Sequence, residues 1–556
     1  MKYIIILALI LVTLNLNGQN LAETPFLVKI SQNEINRVIG ELQNQQYPPY
    51  FISYYITDSH QARISSTLGV ISTESMDSLR MLDIQVRVGD YNFDNNHLIR
   101  GNPLNFNSSF GRIELPFADD EKAIVNKMWF ATDKAYKSAT EKYEKAITNS
   151  KVKVQEDDTS ADFSQEKPVK FFQNGKLINV EFNNFKPMLE RLSAKFTPYK
   201  WILNSSVSLI GNSNRKTIVS SEGTQIQTYE NYFYIYVNAS TKADDGMSLP
   251  LYRSFFAFTP DSLPKEEVIA NSIDEIINLL DRLRTAPYAE TFTGPAMLSG
   301  RASGVFFHEI FGHRVEGHRE KDPNSSQTFK KSVGEKILPD FMSITFDPNK
   351  RELNHTLLAG YYLYDDEGIK SKTTEVVKNG VFENFLMSRT PIEGFSHSNG
   401  HGRKAAGYSP VTRQSNLIVE SSKTNTINEL KDKLREIAKE QGKEYGLFFD
   451  DVSGGFTFTN RSIPNAFNVT PLVVYKIFVD GRPDELVRGV DLIGTPLTTF
   501  ANIVATGDDF DTFNGVCGAE SGGVPVSASS PTLLVSRIEV QKKLKSQAKP
   551  PLIDAP

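Results

Sequence analysis

Ser303-Gly304-Val305-Phe306-Phe307-His308-Glu309-Ile310-Phe311-Gly312-His313 is the stretch on which the reading of this chain turns. It holds two of only eight histidines, sets a glutamate directly after the first, and is led in by an apolar run. A His-Glu pair followed by a second His suggests two neutral imidazoles on a metal ion, with the carboxylate acting on a bound water. The familiar metalloprotease helix spaces its histidines four apart, on one face. Here they are five apart, and on an ideal helix that step separates them by about 140° around the axis. Two local departures would bring both to one ion: a widened turn of the π-bulge kind, or a helix that ends near Gly312.

Composition narrows the class of protein around this stretch. The chain has 556 residues, enough for at least two domains with sizeable cores. A net charge of −5 without long basic runs argues against nucleic acid as the main partner. Lys2 followed by the apolar residues Ile4–Leu16 and then Asn17-Gly18 reads as a secretion signal over residues 1–18, which predicts an exported, periplasmic or secreted protein. That run is short for a bilayer span, and no later stretch approaches transmembrane length, so no integral membrane segment is expected. Cys517 is the one cysteine, which excludes an internal disulfide. It is an incidental buried hydrophobe, a reactive group, or a ligand.

Along the chain, Ser31-x-x-Glu34 has the pattern of a capping box, followed by Ile35, Val38, Ile39 and Leu42 at helical spacing up to Pro48-Pro49. β-Branched and aromatic residues predict strands at Tyr50–Ile56, Ala62–Ile71 and Leu82–Val88. Residues 119–150 predict a long charged helix with Ile124, Met128, Phe130 and Ala131 as its apolar stripe. A polar connection follows at Gln155–Pro168. Helices are expected at Phe185–Ala194 and from Ser262-Leu263-Pro264 to Arg284, the second burying Val268, Ile269, Ile273, Ile276 and Leu280, with a strand at Tyr232–Val237 between them. Pro287 ends the last helix, and the main boundary falls there, dividing residues 19–288 from 289–556. Beyond it, Lys378-Asn379-Gly380 predicts a hairpin, Thr426-x-x-Glu429 a capped helix to about Glu440, and Leu472–Val479 and Thr532–Val540 buried strands. The fold class is α+β, in two domains.

The segment Gly515-Val516-Cys517-Gly518, inside the Gly-rich run 514–526, supplies the missing partner for the histidines. With His308 and His313 it makes a His₂Cys donor set that leaves one tetrahedral position open. Taken together, His308-Glu309-Ile310-Phe311-Gly312-His313 and Gly515-Val516-Cys517-Gly518 resemble the TldD/PmbA family of zinc metallopeptidases. Asp365-Asp366-Glu367-Gly368, Asn399-Gly400-His401-Gly402-Arg403, Gly454-Gly455, Leu492-Ile493-Gly494 and Pro531-Thr532-Leu533 extend the likeness in order over about residues 290–545. The resemblance implies a mixed helix and sheet amino-terminal domain and a strand-rich carboxy-terminal metallopeptidase domain. It implies Zn²⁺ held by His308, His313 and Cys517, with Glu309 as general base. It also implies a peptide substrate and paired subunits, as a homodimer or with a family paralogue. A signal peptide departs from the family's cytoplasmic habit.

Other residues carry open readings. His318 and Glu316 are alternative ligands or supports of the ligands. His401 and Arg403, in a Gly-rich loop, bind a substrate carboxylate or carbonyl, or else make a structural pair. Asp365-Asp366-Glu367 lacks the spacing of a calcium loop and reads as a turn. Two functions of different class follow: a zinc peptidase acting on peptides or unfolded chains, and a non-catalytic binding or assembly subunit with a structural zinc closed by a fourth protein ligand, for which His318 is the nearest candidate.

Overall fold

The computed structural model describes residues 23–98, 112–151, 158–460, 467–494, 500–543, 551 and 553, so the leader expected at 1–18 and the start of the connection at 155–157 lie outside it. The amino-terminal part is built on a seven-stranded sheet in which the long hairpin Val70–Val88 and Pro49–Thr67 is followed in order by Asn204–Ser220, Gln225–Lys242 and Ser248–Ala257. Strand periodicity divides its residues between two environments. Ile52, Tyr54, Ile56, Ile64, Phe233, Ile235 and Val237 pack against four helices, Phe26–Leu42, Glu121–Ser150, Lys186–Ala194 and Glu266–Thr285. Tyr55 and Lys216 take the opposite face, where both hydrogen-bond Asp366 of the carboxy-terminal part at 2.8 Å.

Among the described residues, two large sheets and two small two-stranded ones make the carboxy-terminal part. One large sheet contains Met342–Phe346, Asn416–Ser421, Gly522–Ser530 and, at its edge, Asp511–Ala519. The other contains Phe292–Leu298, Tyr445–Thr457, Phe467–Phe478 and Leu533–Lys542. The helix Gly300–Ile310 lies between them, with every residue but Arg301 buried. Its Ala302, Val305, Phe306, Phe307 and Ile310 share one core with Phe449 and Val535 of the second sheet and Ile344, Leu417 and Ala528 of the first. The helix approaches the strand Gly522–Ser530 backbone to backbone, because a Cβ at Gly304 would stand 2.6 Å from the Ala528 carbonyl oxygen. Among the described residues no helix is long and apolar enough to cross a membrane.

Several expectations differ from the structure for identifiable reasons. Ser31 and Glu34 do not cap a helix; they are buried within Phe26–Leu42, which starts after Pro25, and Glu34 pairs with Arg37 at 2.6 Å instead. The strand expected at Ala62–Ile71 runs through a turn at Leu68-Gly69, where both residues have positive φ, 49° and 88°. The exposed polar run Ser72–Ser78 hides the continuation of the hairpin. Phe130 and Val268 are half exposed rather than buried. The hairpin at Lys378-Asn379-Gly380 is present, with Lys378 opposite Val381 and φ of 46° and 81° at Asn379 and Gly380, as a two-residue turn of the primed kind requires. Thr426 and Glu429 form the capping box of the helix Ile427–Glu440.

Candidate metal centre

The five-residue histidine step is accommodated by ending the helix. The α-helix Gly300–Ile310 stops, Phe311 is its C-cap, and a 3₁₀ turn takes over at Gly312–Arg314. His313 thereby comes round beside His308, with ring centroids 5.0 Å apart and planes at 81°. Gly312 is needed for this, since a Cβ there would overlap the side-chain amide of Gln414. That amide is itself fixed by donating to the His308 carbonyl oxygen at 3.2 Å. Cys517 arrives from the edge strand Asp511–Ala519, about two hundred residues further on. Its Sγ lies 3.2 Å from His308 Nε2 and 3.4 Å from His313 Nε2. The three donor atoms all lie within 4.8 Å of one another, and the three residues are buried.

This donor set fits a zinc ion. Tetrahedral coordination by imidazole and thiolate places the N and S atoms roughly 3.6 Å apart, close to the two distances observed. Among the described residues the group contains three side chains, as in an open site, rather than the four that close a structural one. His318 is not among them; its Nε2 bonds Glu520 at 2.7 Å.

The electrostatics of the three donors are mutually dependent. Burial alone would push the Cys517 thiol up, but the adjacent His313 and His308 outweigh it and hold the thiol well below its ordinary range. Burial opposes charge on His313, yet Cys517 and Glu316 together raise it well above the usual imidazole value. Thiolate is the form that ligates metal, and the proton held on His313 is the one a bound ion displaces. Glu316 is itself fully buried, which favours its neutral form, but His313 and Arg319 bring it down to about 2. Its Oε2 receives His313 Nδ1 at 3.2 Å and Arg319 Nε at 2.8 Å. Arg413, equally buried, donates to the Cys517 carbonyl oxygen at 2.6 Å and to Ser521 Oγ at 2.8 Å, and stands 3.7 Å from Glu316. One guanidinium thus links the strand carrying the thiol to the carboxylate that orients His313.

Glu309 is buried beside the donors, and that burial raises its carboxyl above the ordinary range, against the pull of His308 and His313. Its side chain rests on Gly455, where a Cβ would lie 2.7 Å from Glu309 Cγ. Arg314 keeps that strand against the helix by donating to the Glu309 carbonyl oxygen at 2.7 Å and to Thr457 Oγ1 at 2.8 Å. A cavity of about 530 Å³ opens over Glu309, both histidines and Cys517, and Tyr236, Tyr252 and Ser254 of the amino-terminal sheet line it as well.

The other residues expected from sequence lie elsewhere. His401 is fully buried, with Nδ1 at 2.9 Å from Asn399 Oδ1 and Nε2 at 3.2 Å from Ser415 Oγ, and burial with the nearby Arg403 pushes it down to about 3. Arg403 donates to the carbonyl oxygens of Gln414 and Pro525 at 2.7 and 2.8 Å and lies over the Tyr362 ring. Neither is among the residues that line the cavity over the donors. Asp365 forms a turn, accepting the backbone N–H groups of Glu367 and Ile369. Arg413, Arg319, Gln414 and Glu520 carry no local sequence signal; only the packing of distant segments brings them to the donors.

Comparison with known proteins agrees with this geometry. Residues 291–542 match the PmbA/TldA metallopeptidase C-terminal domain. A metalloprotease of Methanothermobacter thermautotrophicus is 27% identical over 59% of this chain and 68% of its own length. A zinc metalloprotease TldD homolog of Saccharolobus solfataricus is 24% identical over 49% of this chain and 56% of its own. The crystal structure of TldE from Thermococcus kodakarensis shares the fold at a TM-score of 0.57 and 14% identity, covering 92% of this chain and 100% of that one.

Proposed function

Through its carboxy-terminal half the chain belongs to the TldD/PmbA family, and on that premise we propose that it is a zinc-dependent peptidase hydrolysing peptides or unfolded chains. The observation that carries this reading is the meeting of His308, His313 and Cys517 around one point, with Glu309 beside them on an open cavity. A set of three protein donors facing a cavity suits chemistry better than a purely structural ion. Zinc, when bound, supplies Lewis acidity, making water more acidic and polarising a carbonyl.

The protein's own residues supply the rest. Glu309 takes a proton from the attacking water and returns it to the departing amine, and its confinement against Gly455 fixes the carboxylate for both transfers. Glu316 accepts from His313 Nδ1 and so keeps the Nε2 edge directed toward Cys517, where it would ligate a bound zinc once its proton is displaced. Arg413 holds the thiol-bearing strand by its backbone. Replacing Glu309 by Gln keeps the shape of the side chain but removes the base. Glu309→Gln should retain one zinc per chain and lose hydrolysis of an unfolded substrate by about 10²-fold or more. Hydrolysis at the wild-type rate in that variant, with zinc content verified, would remove Glu309 from the reaction.

A further inference from the structure

Part of the lining of the cavity that holds the metal donors comes from the amino-terminal sheet and is aromatic. In the amino-terminal sheet Tyr236 pairs with Ser254 and Asn238 with Tyr252, so Tyr236, Tyr252 and Ser254 project from one face, and all three line the cavity. Both rings are held in place from behind. Tyr236 stacks on Tyr234 with centroids 5.4 Å apart and planes at 19°, and Tyr234 in turn packs on Phe256 at 5.0 Å. The Tyr252 hydroxyl accepts from Arg301 at 3.1 Å and donates to the Ser453 carbonyl oxygen at 3.2 Å, which spans the two domains. A wall whose side chains are already immobilised loses little entropy when a ligand settles on it.

The charged groups on this side are paired with one another: Arg301, which touches Tyr252, with Asp451 at 2.9 Å, and Arg253 with the same carboxylate at 2.6 Å. Among the described lining residues, Arg319 is engaged by Glu316 at 2.8 Å and Glu520 at 3.1 Å, Glu520 also by His318 at 2.7 Å, and Glu309 stands with the metal donors. A charged substrate side chain placed against Tyr236 would give up hydration and gain no ion pair. An apolar one would exchange water for two fixed rings.

We propose that Tyr236 and Tyr252 form a specificity wall, selecting peptides with an aromatic or large aliphatic side chain at a residue flanking the bond to be cut. This rests on the peptidase reading above, and it assigns the choice of substrate to the amino-terminal sheet while the carboxy-terminal part performs the chemistry.

The test uses the full zinc-loaded chain and a series of otherwise identical ten-residue peptides with Phe, Leu, Gly, Asp or Lys at one central position. Two readouts are taken: kcat/KM for cleavage next to that position, and the affinity of each peptide for Glu309→Gln, which binds without turnover. The Phe and Leu peptides should lead the Asp and Lys peptides by about tenfold or more in both. Tyr236→Ser and Tyr252→Ser should flatten that ratio, and Tyr236→Lys should shift preference toward Asp. Equal handling of all five peptides, or a preference unchanged by all three substitutions, overturns the wall. Absence of hydrolysis by the zinc-loaded wild type would overturn the peptidase reading alone, and the binding series would still decide whether the wall sorts side chains.

Discussion

Glu316 shows how one side chain governs the centre without touching an ion. Its carboxylate is fully buried between His313, Arg319 and Arg413, so two cations and an imidazole converge on it. With Glu316 holding the Nδ1 side of His313, its Nε2 side faces Cys517 and would become a donor to an ion that displaces the proton shared there. Glu316→Gln keeps the volume but removes the charge, and should weaken zinc retention by about tenfold, measured by competition with a chromophoric chelator. A circular-dichroism melt taken in parallel separates this from unfolding; unchanged zinc affinity would reduce Glu316 to a structural ion pair. The donors themselves were readable from sequence because they carry rare residue types, two of eight histidines and the one cysteine, in a glycine-marked setting. The supports were not. Arginines and glutamates are common, and nothing within the Arg413 segment signals that it will lie against Cys517.

At the scale of the element, the helix Gly300–Ile310 is a rigid carrier for His308 set between two sheets. It can approach the strand Gly522–Ser530 because positions 300 and 304 have no side chain, and the 304-to-308 step places His308 on that same helix face one turn later. Any bulk at 304 must drive the helix away from the hairpin that carries Cys517. Gly304→Val should cost about 1–3 kcal/mol in stability and separate His308 from the thiol, seen as a lower melting temperature together with weaker zinc binding. Gly304→Ala should show the same two effects at smaller size, and a variant that melts lower while binding zinc normally would refute the link between helix placement and the donors. Sequence periodicity served well where an element is set by its own residues. The Asn379-Gly380 turn and the capping box Thr426/Glu429 are local chemistry, and both are present. It failed where tertiary packing overrides the local pattern, as at Ser31 and Glu34, which have the spacing of a cap yet are buried inside a helix that starts earlier.

The whole molecule is held together across its two parts by a seam of buried polar groups, and this seam gives it a predictable response to pH. Asp365-Asp366-Glu367 reads in sequence as an acidic turn, but it sits where the amino-terminal sheet meets the carboxy-terminal part. Asp366 receives Tyr55 and Lys216 from the sheet, while Lys404 returns the pairing by reaching Asp83. Burial tends to neutralise Asp366, but Lys216 holds it below the usual range, so it stays ionised. Its neighbour differs: burial raises Glu367 to about 7, although Arg389 and Arg87 act against that shift. Because its folded value lies above the 4.5 of an ordinary glutamate, the folded state binds more protons than the unfolded one between these two values. Stability from Glu367 is therefore full below about 4.5 and is lost as pH rises through about 7. Glu367→Gln mimics the protonated form and still offers an oxygen to the Arg389 backbone N–H, which Glu367 accepts at 2.6 Å. The variant should match wild type near pH 5 and exceed it at pH 8.5 by about 1–3 kcal/mol. Differential scanning calorimetry at the two pH values measures this directly, and the comparison between variants cancels the titrating groups that do not interact with Glu367; Asp365, which Glu367 raises, moves with it. A variant that melts with the same pH dependence as wild type would mean that Glu367 is ionised in the folded protein at pH 5, and that Arg389 and Arg87 outweigh its burial.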